Sequence, residues 1–250
     1  MAAGECYIGT SGWNYKHWAN NRFYPKGLKP GEWLAFLADH FNTVEVNYSF
    51  YRMPSPEAVS GWQSATPDEF LLAVKLWRGI THYKKLKEPG NYLVSFLDII
   101  SVVGQRRRGP LLVQLPPQMG PDLQRLDGFL TMLDELTAPS PWRVAVEFRH
   151  TGWLTPPVYR LLDGYRAALV LADSPRCPIR EPNDVDFIYI RRHGSWQHHE
   201  GRYLPQQIEE DAARIRDWLA AGQRVFVYYN NDAFGHAVDN GRQLREQLRW

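Results

Sequence analysis

The chain has little cysteine and no long apolar run, and both absences restrict its class. Its 250 residues include two cysteines, Cys6 and Cys177, which are far apart and form no CxxC pair. Two such thiols do not make a disulfide framework. No apolar stretch approaches the roughly 20 residues that a membrane-spanning helix needs, and residues 1–6 lack the pattern of a signal peptide. We therefore expect a cytoplasmic protein with free thiols and no membrane partner.

Several familiar catalytic and nucleotide-binding motifs are also missing. The sequence contains no Walker A motif, no GxGxxG, no HExxH and no GxSxG. We expect no nucleotide cofactor. Lys and Arg total 29 against 27 Asp and Glu, so the net charge is only +2. This balance does not indicate nucleic acid as a partner, although a local basic patch would keep nucleic acid open as an option.

The residues that are present describe a folded globular protein. Apolar residues make up 44% and charged residues 22% of the chain, which is ordinary for a globular domain. The unusual number is 10 tryptophans. Trp13, Trp77, Trp153 and Trp196 follow predicted strands, where they could either stack on a ligand or pack as core. Trp33, Trp62 and Trp218 fall in predicted helices and are expected to pack.

The strongest pattern is an alternation of predicted strands and helices. Short runs rich in Val, Ile, Leu and Tyr recur between polar or turn residues. The predicted strands are Cys6–Thr10, Thr43–Tyr48, Leu71–Leu76, Leu111–Leu115, Val144–Phe148, Ala168–Ala172, Phe187–Arg191 and Arg224–Tyr229. Amphipathic segments follow most of them, with Ser55 and Asp122 as helix N-caps. No helix is predicted after the sixth strand, where residues 173–186 contain three prolines.

This alternation predicts parallel strands, because each helix must cross back over the sheet. Eight such units in about 250 residues match a (β/α)8 TIM barrel, with the sixth helix replaced by a loop. We expect residues 1–250 to form one such domain. A doubly wound sheet is the alternative, but it usually has fewer strands and a glycine-rich first turn.

Polar side chains end almost every predicted strand. In barrels of this type the active site lies at the carboxyl ends of the strands. Period-two alternation puts Glu45 with Asn47, Glu147 with Arg149, and Arg191 with His193 on shared faces. These pairs are expected to converge with Lys75, Gln114, Asp173, Asn230, Asn231 and Trp13. A buried ion-pair network without catalytic function is the alternative for any one of them.

Longer motifs around these residues resemble a known family. They are Gly9-Thr10-Ser11-Gly12-Trp13, the segment Phe41–Tyr51, Gly109–Pro117, Ala145–His150, Arg192-His193-Gly194 and Tyr229–Asp232. The sequence is similar to the domain-of-unknown-function 72 family, also called YecE-like proteins. The resemblance implies a TIM-barrel fold and a site that includes Glu45, Asn47, Lys75, Gln114, Glu147, Arg149, His193, Asn230 and Asn231. One departure is Arg192, where the family pattern has an apolar residue, so the orientations of Arg191 and Arg192 stay open.

The leading hypothesis is a hydrolase-like or phosphodiesterase-like enzyme that acts on a phosphorylated or other small anionic substrate. Glu45 and Glu147 would act as acid and base or as metal ligands, and His193 as proton donor or ligand. Lys75 and Arg149 would stabilise negative charge. Lys75 could instead pair with Glu147, or form a Schiff base with a carbonyl substrate.

Asn47, Gln114, Asn230, Asn231 and Trp13 would bind the substrate. Glu45, Glu147, Asp173 and His193 are the candidate ligands for a divalent metal. The alternatives are a carbohydrate-active lyase, isomerase or glycosidase that uses the paired carboxylates, and a barrel that binds a ligand without catalysis.

Overall fold

The computed structural model describes residues 4–138, 140–194 and 201–249. Its strands are β1 (Cys6–Thr10), β2 (Thr43–Val46), β3 (Leu71–Lys75), β4 (Arg108–Gln114), β5 (Val144–Glu147), β6 (Ala168–Leu169), β7 (Leu171–Ala172), β8 (Phe187–Arg192) and β9 (Arg224–Tyr229). Predicted Ala168–Ala172 is thus two short strands separated by Val170. Trp196, one of the tryptophans that follow predicted strands, lies outside the described residues.

Helices follow most strands. They are α1 (Trp33–Ala38), α2 (Tyr48–Tyr51), α3 (Pro56–Ser64), α4 (Gly90–Ile100), α5 (Leu123–Thr137), α6 (Pro156–Gly164), α7 (Pro205–Ala220) and α8 (His236–Leu248). The predicted caps are confirmed: Ser55 accepts from the amide of Ala58 at the start of α3. Asp122 accepts from the amide of Arg125 in α5. Residues 173–186 contain neither helix nor strand.

The strands form two parallel sheets. The first has the order β1-β9-β8-β7 and the second the order β2-β3-β4-β5-β6. The predicted α/β class with parallel pairing is confirmed in this form. An isolated parallel bridge between Ser11 and Glu45 links the end of β1 to β2, and the amide of Gly12 donates to the Glu45 carbonyl at 2.8 Å. The carboxyl ends of β1 and β2 are therefore adjacent.

Alternate strand residues enter two different hydrophobic clusters. The larger cluster packs strands such as β3, through Leu72 and Val74, against the helices. The smaller cluster consists mainly of strand residues on the opposite face, among them Ala73, Leu112, Tyr189 and Phe226. Because these four side chains come from both sheets, the two sheets share an interior. Lys75 continues the face of Leu71 and Ala73 by the period of two.

Two local expectations differ from the structure. The second strand ends at Val46 rather than Tyr48, because Asn47 turns the chain directly into α2. A run of three arginines, Arg106-Arg107-Arg108, leads into β4, and its sequence alone predicts a solvated face. Instead, Arg107 donates to the carbonyls of Gln63 and Thr66, and Arg108 to that of Ser140. These guanidiniums satisfy backbone carbonyls at the amino end of the sheet. Among the described residues, no helix is long and apolar enough to cross a membrane.

Candidate functional site

A buried arginine joins the two predicted catalytic carboxylates. Arg191 leaves β8 with its side chain 1% exposed. Its Nε and Nη2 donate to the two oxygens of Glu45 at 2.9 and 2.7 Å, and its Nη1 donates to Glu147 at 2.6 Å. Gln114 Oε1 lies 3.3 Å from the same Nη1. One planar guanidinium therefore bridges two carboxylates that are themselves fully buried.

Arg191 and Arg192 point in opposite directions along β8. Arg191 faces the carboxylates, whereas Arg192 forms an ion pair with Asp211 of α7. This alternation is the ordinary period of two in a strand. The orientations of the two arginines, which the sequence left open, are therefore opposite: Arg191 faces the site and Arg192 faces the helical layer. Arg191 and His193 share the inner face, as the sequence predicted.

Glu147 is an ionised carboxylate held by several donors. Its Oε1 lies 2.6 Å from Arg149 Nη2 and 3.1 Å from His193 Nε2. Burial would raise the pKa of Glu147, but the Arg149 and Arg191 guanidiniums outweigh burial and hold the pKa well below its usual range. At neutral pH Glu147 is therefore a poor proton donor, and its lone pairs already accept hydrogen bonds.

His193 is oriented from both sides of its ring. Its Nδ1 lies 3.0 Å from Asn230 Nδ2, and its Nε2 lies 3.1 Å from Glu147. An amide nitrogen can only donate, so Nδ1 acts as an acceptor toward Asn230, whereas Nε2 faces both a donor, Arg149 Nη2 at 2.9 Å, and an acceptor, the Glu147 carboxylate. Burial lowers the pKa of His193 to about 3, despite the opposing bond to Glu147. The backbone amide of His193 donates to Asp173 at 2.7 Å.

Lys75 differs from the other charged groups of the site. Among the described residues, its amine forms no ion pair and no hydrogen bond; it lies 4.0 Å from the centre of the Phe50 ring. The predicted alternative pairing with Glu147 is thus not formed. Burial, and then the positive charge of Arg191, lower the pKa of Lys75 to about 7, although Glu45 and Glu147 act in the opposite direction.

A pocket beside the carboxyl ends of the strands is lined by Lys75, Gln114, Arg149, Arg191 and Asn230, whereas Glu45, Glu147 and His193 do not line it. Its volume is about 620 Å³. The lining is polar and mostly cationic or aromatic: Tyr15, Asn47, Phe50, Tyr51, Lys75, Arg78, His82, Tyr83, Gln114, Pro117, Arg149, Ser174, Arg176, Arg191, Asn230 and Asp232. Five of these residues are Lys or Arg and one is a carboxylate. Within the described part of the chain, two buried atoms here lack a hydrogen-bond partner, Asn47 Oδ1 and Arg149 Nε.

A second, aromatic pocket adjoins the first. It has a volume of about 340 Å³ and shares Tyr15, Asn47 and Tyr51 with the cationic pocket. Trp13 and Trp62 face each other edge to face in its wall, with ring centroids 6.3 Å apart. Trp13 is thus at the site, and Trp62, which we expected only to pack, also lines this pocket.

Other predicted residues lie away from the pockets. Trp153 is fully buried and stacks on Phe148, so it is core and not a ligand contact. Trp77 packs against Tyr92. Asn231 donates to Gly201 and Asn240, which connects the segment after β9 to α8. Asp173 accepts from the backbone amide of His193 and from the Tyr203 hydroxyl. It therefore holds the backbone of His193 in position.

The four candidate metal ligands do not form a metal site. The described residues contain no group of three or more His, Cys, Asp or Glu side chains with a suitable arrangement. Glu45 and Glu147 accept from Arg191, while the amide of His193 and the Tyr203 hydroxyl occupy Asp173. A cation would have to displace a guanidinium at Glu45 and Glu147, and an amide and a hydroxyl at Asp173, so the donor set does not fit a divalent metal.

Sequence reasoning missed several lining residues. Tyr15, Arg78, Tyr83 and Arg176 all come from segments that follow strands, and Tyr83 ends a short π-helical turn, Gly79–Tyr83. The sequence could have indicated them only through their position after predicted strands, because these segments form the active face of a barrel. Arg78, three residues beyond Lys75, was the easiest to find on this ground.

Comparison with known proteins gives a consistent result. The family model described as "Protein of unknown function DUF72" matches residues 7–250. The UPF0759 protein YunF of Bacillus subtilis (strain 168) is 24% identical over 272 residues, which span 97% of this chain and 94% of YunF. The UPF0759 protein YecE of Escherichia coli (strain K12) is 32% identical over 144 residues, 58% of this chain and 48% of YecE.

Solved structures agree. A DUF72 family protein from Thermotoga maritima superimposes with a TM-score of 0.86 at 25% identity, covering 98% of this chain and 100% of that one. A DUF72 family protein from Enterococcus faecalis has a TM-score of 0.81 at 19% identity, covering 98% of this chain and 96% of that one, and shows a common fold. The motif resemblance, the family match over almost the whole chain and these folds lead to one conclusion: the chain belongs to the DUF72 family.

Proposed function

We propose that the cationic pocket binds a small phosphorylated or otherwise anionic substrate and that the protein acts on it as an enzyme. The observation that carries this proposal is an excess of unpaired positive charge. Lys75, Arg78 and Arg176 line the pocket, and none of the three forms an ion pair with a carboxylate of the described residues. Cations gathered without partners in a concave site attract an anion.

Arg149 adds a directed donor to this excess. Its Nη2 bonds to Glu147, but its buried Nε has no acceptor among the residues that the structure describes. A buried donor without a partner costs roughly 1–3 kcal/mol, and a small rotation of the Arg149 side chain toward a phosphate or carboxylate oxygen in the pocket would satisfy it. Arginine suits this role because its planar fork matches two oxygens of an anion.

Glu45 and Glu147 position Arg191 and Arg149 rather than react. Both carboxylates already accept from guanidinium groups, which leaves neither of them available as nucleophile or acid. This weakens the glycosidase alternative, which needs two available carboxylates. For the same reason, the geometry supports the binding of an anion more strongly than it supports hydrolysis by Glu45 and Glu147. His193 supports the site through Glu147 and Asn230.

The proposal includes one closed barrel formed by residues 1–250. The Ser11–Glu45 bridge at one junction of the sheets supports closure, as does the one-residue break at Val170 at the other. The interior cluster shared by the two sheets is what a closed barrel requires. Cys6 and Cys177 are buried free thiols, which is consistent with a cytoplasmic location.

Calorimetry with inorganic phosphate tests the binding step. We expect saturable binding that weakens in Arg78→Ala and in Arg176→Ala. Arg106→Ala is the matched control, since Arg106 is an exposed arginine before β4, at the opposite ends of the strands. Equal binding by all three variants would refute the proposal.

A substrate screen then tests catalysis. Phosphomonoesters, phosphodiesters and glycosides are compared with wild type and Lys75→Ala. If the wild type turns over one class of anionic substrate and Lys75→Ala does not, the result supports an enzyme. Phosphate binding without turnover of any class would favour the non-catalytic barrel instead.

A further inference from the structure

We propose that Lys75 is a nucleophilic amine that forms a Schiff base with the carbonyl group of a small phosphorylated aldehyde or ketone. This inference rests on the proposed function, because the same arginines would hold the phosphate. It adds the chemical class of the substrate's reacting group and the atom that attacks it. The observation that carries the argument is that the Lys75 amine, which forms no ion pair or hydrogen bond within the described residues, lines the same pocket as several guanidinium groups.

The amine is placed where attack on a ligand is open to it. Lys75 is the last residue of β3, and the Ser49 hydroxyl fixes its carbonyl with a 2.6 Å hydrogen bond. Its side chain is 7% exposed and lines the pocket. Within the described residues no carboxylate lies within ion-pair distance of Nζ, so a substrate would not have to displace a salt bridge.

The surroundings favour the neutral amine, which is the reactive form. Burial is the largest cause, Arg191 and Arg149 also oppose an additional positive charge, and Glu45 and Glu147 act in the opposite direction. The Phe50 ring opposes this trend, since an aromatic face stabilises an ammonium group. His82, across the same pocket, is itself kept neutral by burial and by Lys75, which lower its pKa to about 4.

The size of the effect supports the geometric argument. With its pKa lowered to about 7, close to half of Lys75 is unprotonated at neutral pH. An ordinary lysine, with a pKa near 10.4, is unprotonated to only about 0.04% under the same conditions. Lysines desolvated next to another cation are a known way of activating an amine for imine formation.

The step balances with a proton from solvent and no other reactant. The Lys75 nitrogen lone pair attacks the carbonyl carbon, and the C=O π pair moves to oxygen. A proton passes from nitrogen to that oxygen to give a carbinolamine. A proton from solvent then converts its hydroxyl into water, which leaves as the nitrogen lone pair forms the C=N bond of a protonated iminium. Arg149, Arg78 and Arg176 are placed to hold the phosphate during attack. The iminium that results withdraws electrons from the neighbouring carbon and so activates its bonds.

Borohydride trapping with dihydroxyacetone phosphate tests the inference. Hydride reduces an imine to a stable secondary amine, which peptide mass spectrometry locates. We expect labelling of Lys75 at least about tenfold above that of any exposed lysine, given the difference in neutral fraction. Lys87→Ala, a change at an exposed lysine in the same loop, should keep the label. Lys75→Arg, which retains the cation, should lose it while keeping the wild-type circular dichroism.

The pH profile is a second readout. For a pKa of about 7, labelling of Lys75 should rise about tenfold from pH 6 to pH 8 and then level off. An ordinary lysine should rise about a hundredfold over that range and continue to rise toward pH 10. An unlabelled Lys75 in protein that binds inorganic phosphate would overturn the Schiff base and leave the proposed function standing. If phosphate does not bind either, the proposed function itself fails.

Discussion

Arg191 shows how one residue can set the geometry of the whole site. Burial of a guanidinium is costly unless its donors are satisfied. Here Nε, Nη1 and Nη2 all bond to buried carboxylate oxygens. The two carboxylates in turn are fixed in place, and Glu147 orients Arg149 toward the pocket. The buried carboxylates of Glu45 and Glu147 thus hold Arg191 and Arg149 in position at the pocket.

Removal of Arg191 should therefore destabilise the fold strongly. Arg191→Met leaves Glu45 and Glu147 buried without their shared partner, and we expect a loss of about 3–5 kcal/mol in the free energy of unfolding. Arg125→Ala, which breaks a surface pair with Asp122, should cost no more than about 1 kcal/mol. Urea denaturation measures both. Equal losses in the two variants would show that the buried network contributes little.

The buried imidazole of His193 makes stability depend on pH. Its pKa is about 3 in the folded protein, against about 6.5 in the unfolded chain. Between these values the unfolded state binds the proton and the native state does not, so stability is lost as pH falls from 6.5 toward 3. His82 acts in the same direction. The pKa of Glu147 is depressed, so protonation of this carboxylate lowers the stability further only below about pH 4.3.

A substitution isolates this contribution. His193→Gln cannot be protonated, so we expect the slope of unfolding free energy between pH 4.5 and 6.5 to fall by as much as about 1.4 kcal/mol per pH unit. His17→Gln, at a largely exposed ring, is the matched control. The explanation is wrong if the two variants retain the same slope as the wild type.

Residue alternation made part of the site predictable. Glu147 with Arg149, and Arg191 with His193, converge as the period of two requires. Their bonding was not predictable, because an ion pair between β8 and β2 depends on which strands become neighbours in space. The sequence left the catalytic and structural alternatives equal for Glu45. Only the distances from Arg191 favour the structural role.

At the scale of elements, buried strands were predictable and short irregular segments were not. Parallel strands covered on both faces appear as continuous apolar runs, and the predicted limits of β1 and β9 coincide with those in the structure. Helix α2 has four residues, too few to give a periodic signal. Yet α2 provides Phe50 and Tyr51, which line the pocket beside Lys75.

Gly9 marks the place where β1 approaches β2. A Cβ at this position would lie 2.0 Å from the Thr43 carbonyl oxygen, which is backbone and cannot move aside cheaply. We expect Gly9→Ala to force the two strands apart and to cost at least about 2 kcal/mol in unfolding free energy. Thermal and urea unfolding would measure the loss.

Gly128 provides the opposite case for comparison. It lies within α5, and a Cβ there would meet nothing within 4 Å. Gly128→Ala should stabilise the protein by about 0.5–1 kcal/mol through helix propensity. If Gly9→Ala were as well tolerated as Gly128→Ala, the close junction of β1 and β2 would not be a constraint on the fold.

For the whole molecule, a net charge near zero conceals an uneven distribution. The chain carries a net +2, while five of the charged side chains lining one pocket are positive and one is negative. Mutual repulsion among such cations lowers the stability of the empty site. An anion that enters the pocket relieves this repulsion, and it binds the native state only.

Phosphate should accordingly raise the thermal stability of the protein in a saturable manner. A ligand at 100 times its dissociation constant adds about 2.7 kcal/mol to the unfolding free energy. We expect Tm to increase with phosphate concentration at constant ionic strength, and to change little with chloride. The double variant Arg78→Ala/Arg176→Ala should lose most of this increase, whereas Arg106→Ala should keep it. An equal increase with chloride would reduce the effect to general screening of surface charge, because only a built site distinguishes the two anions.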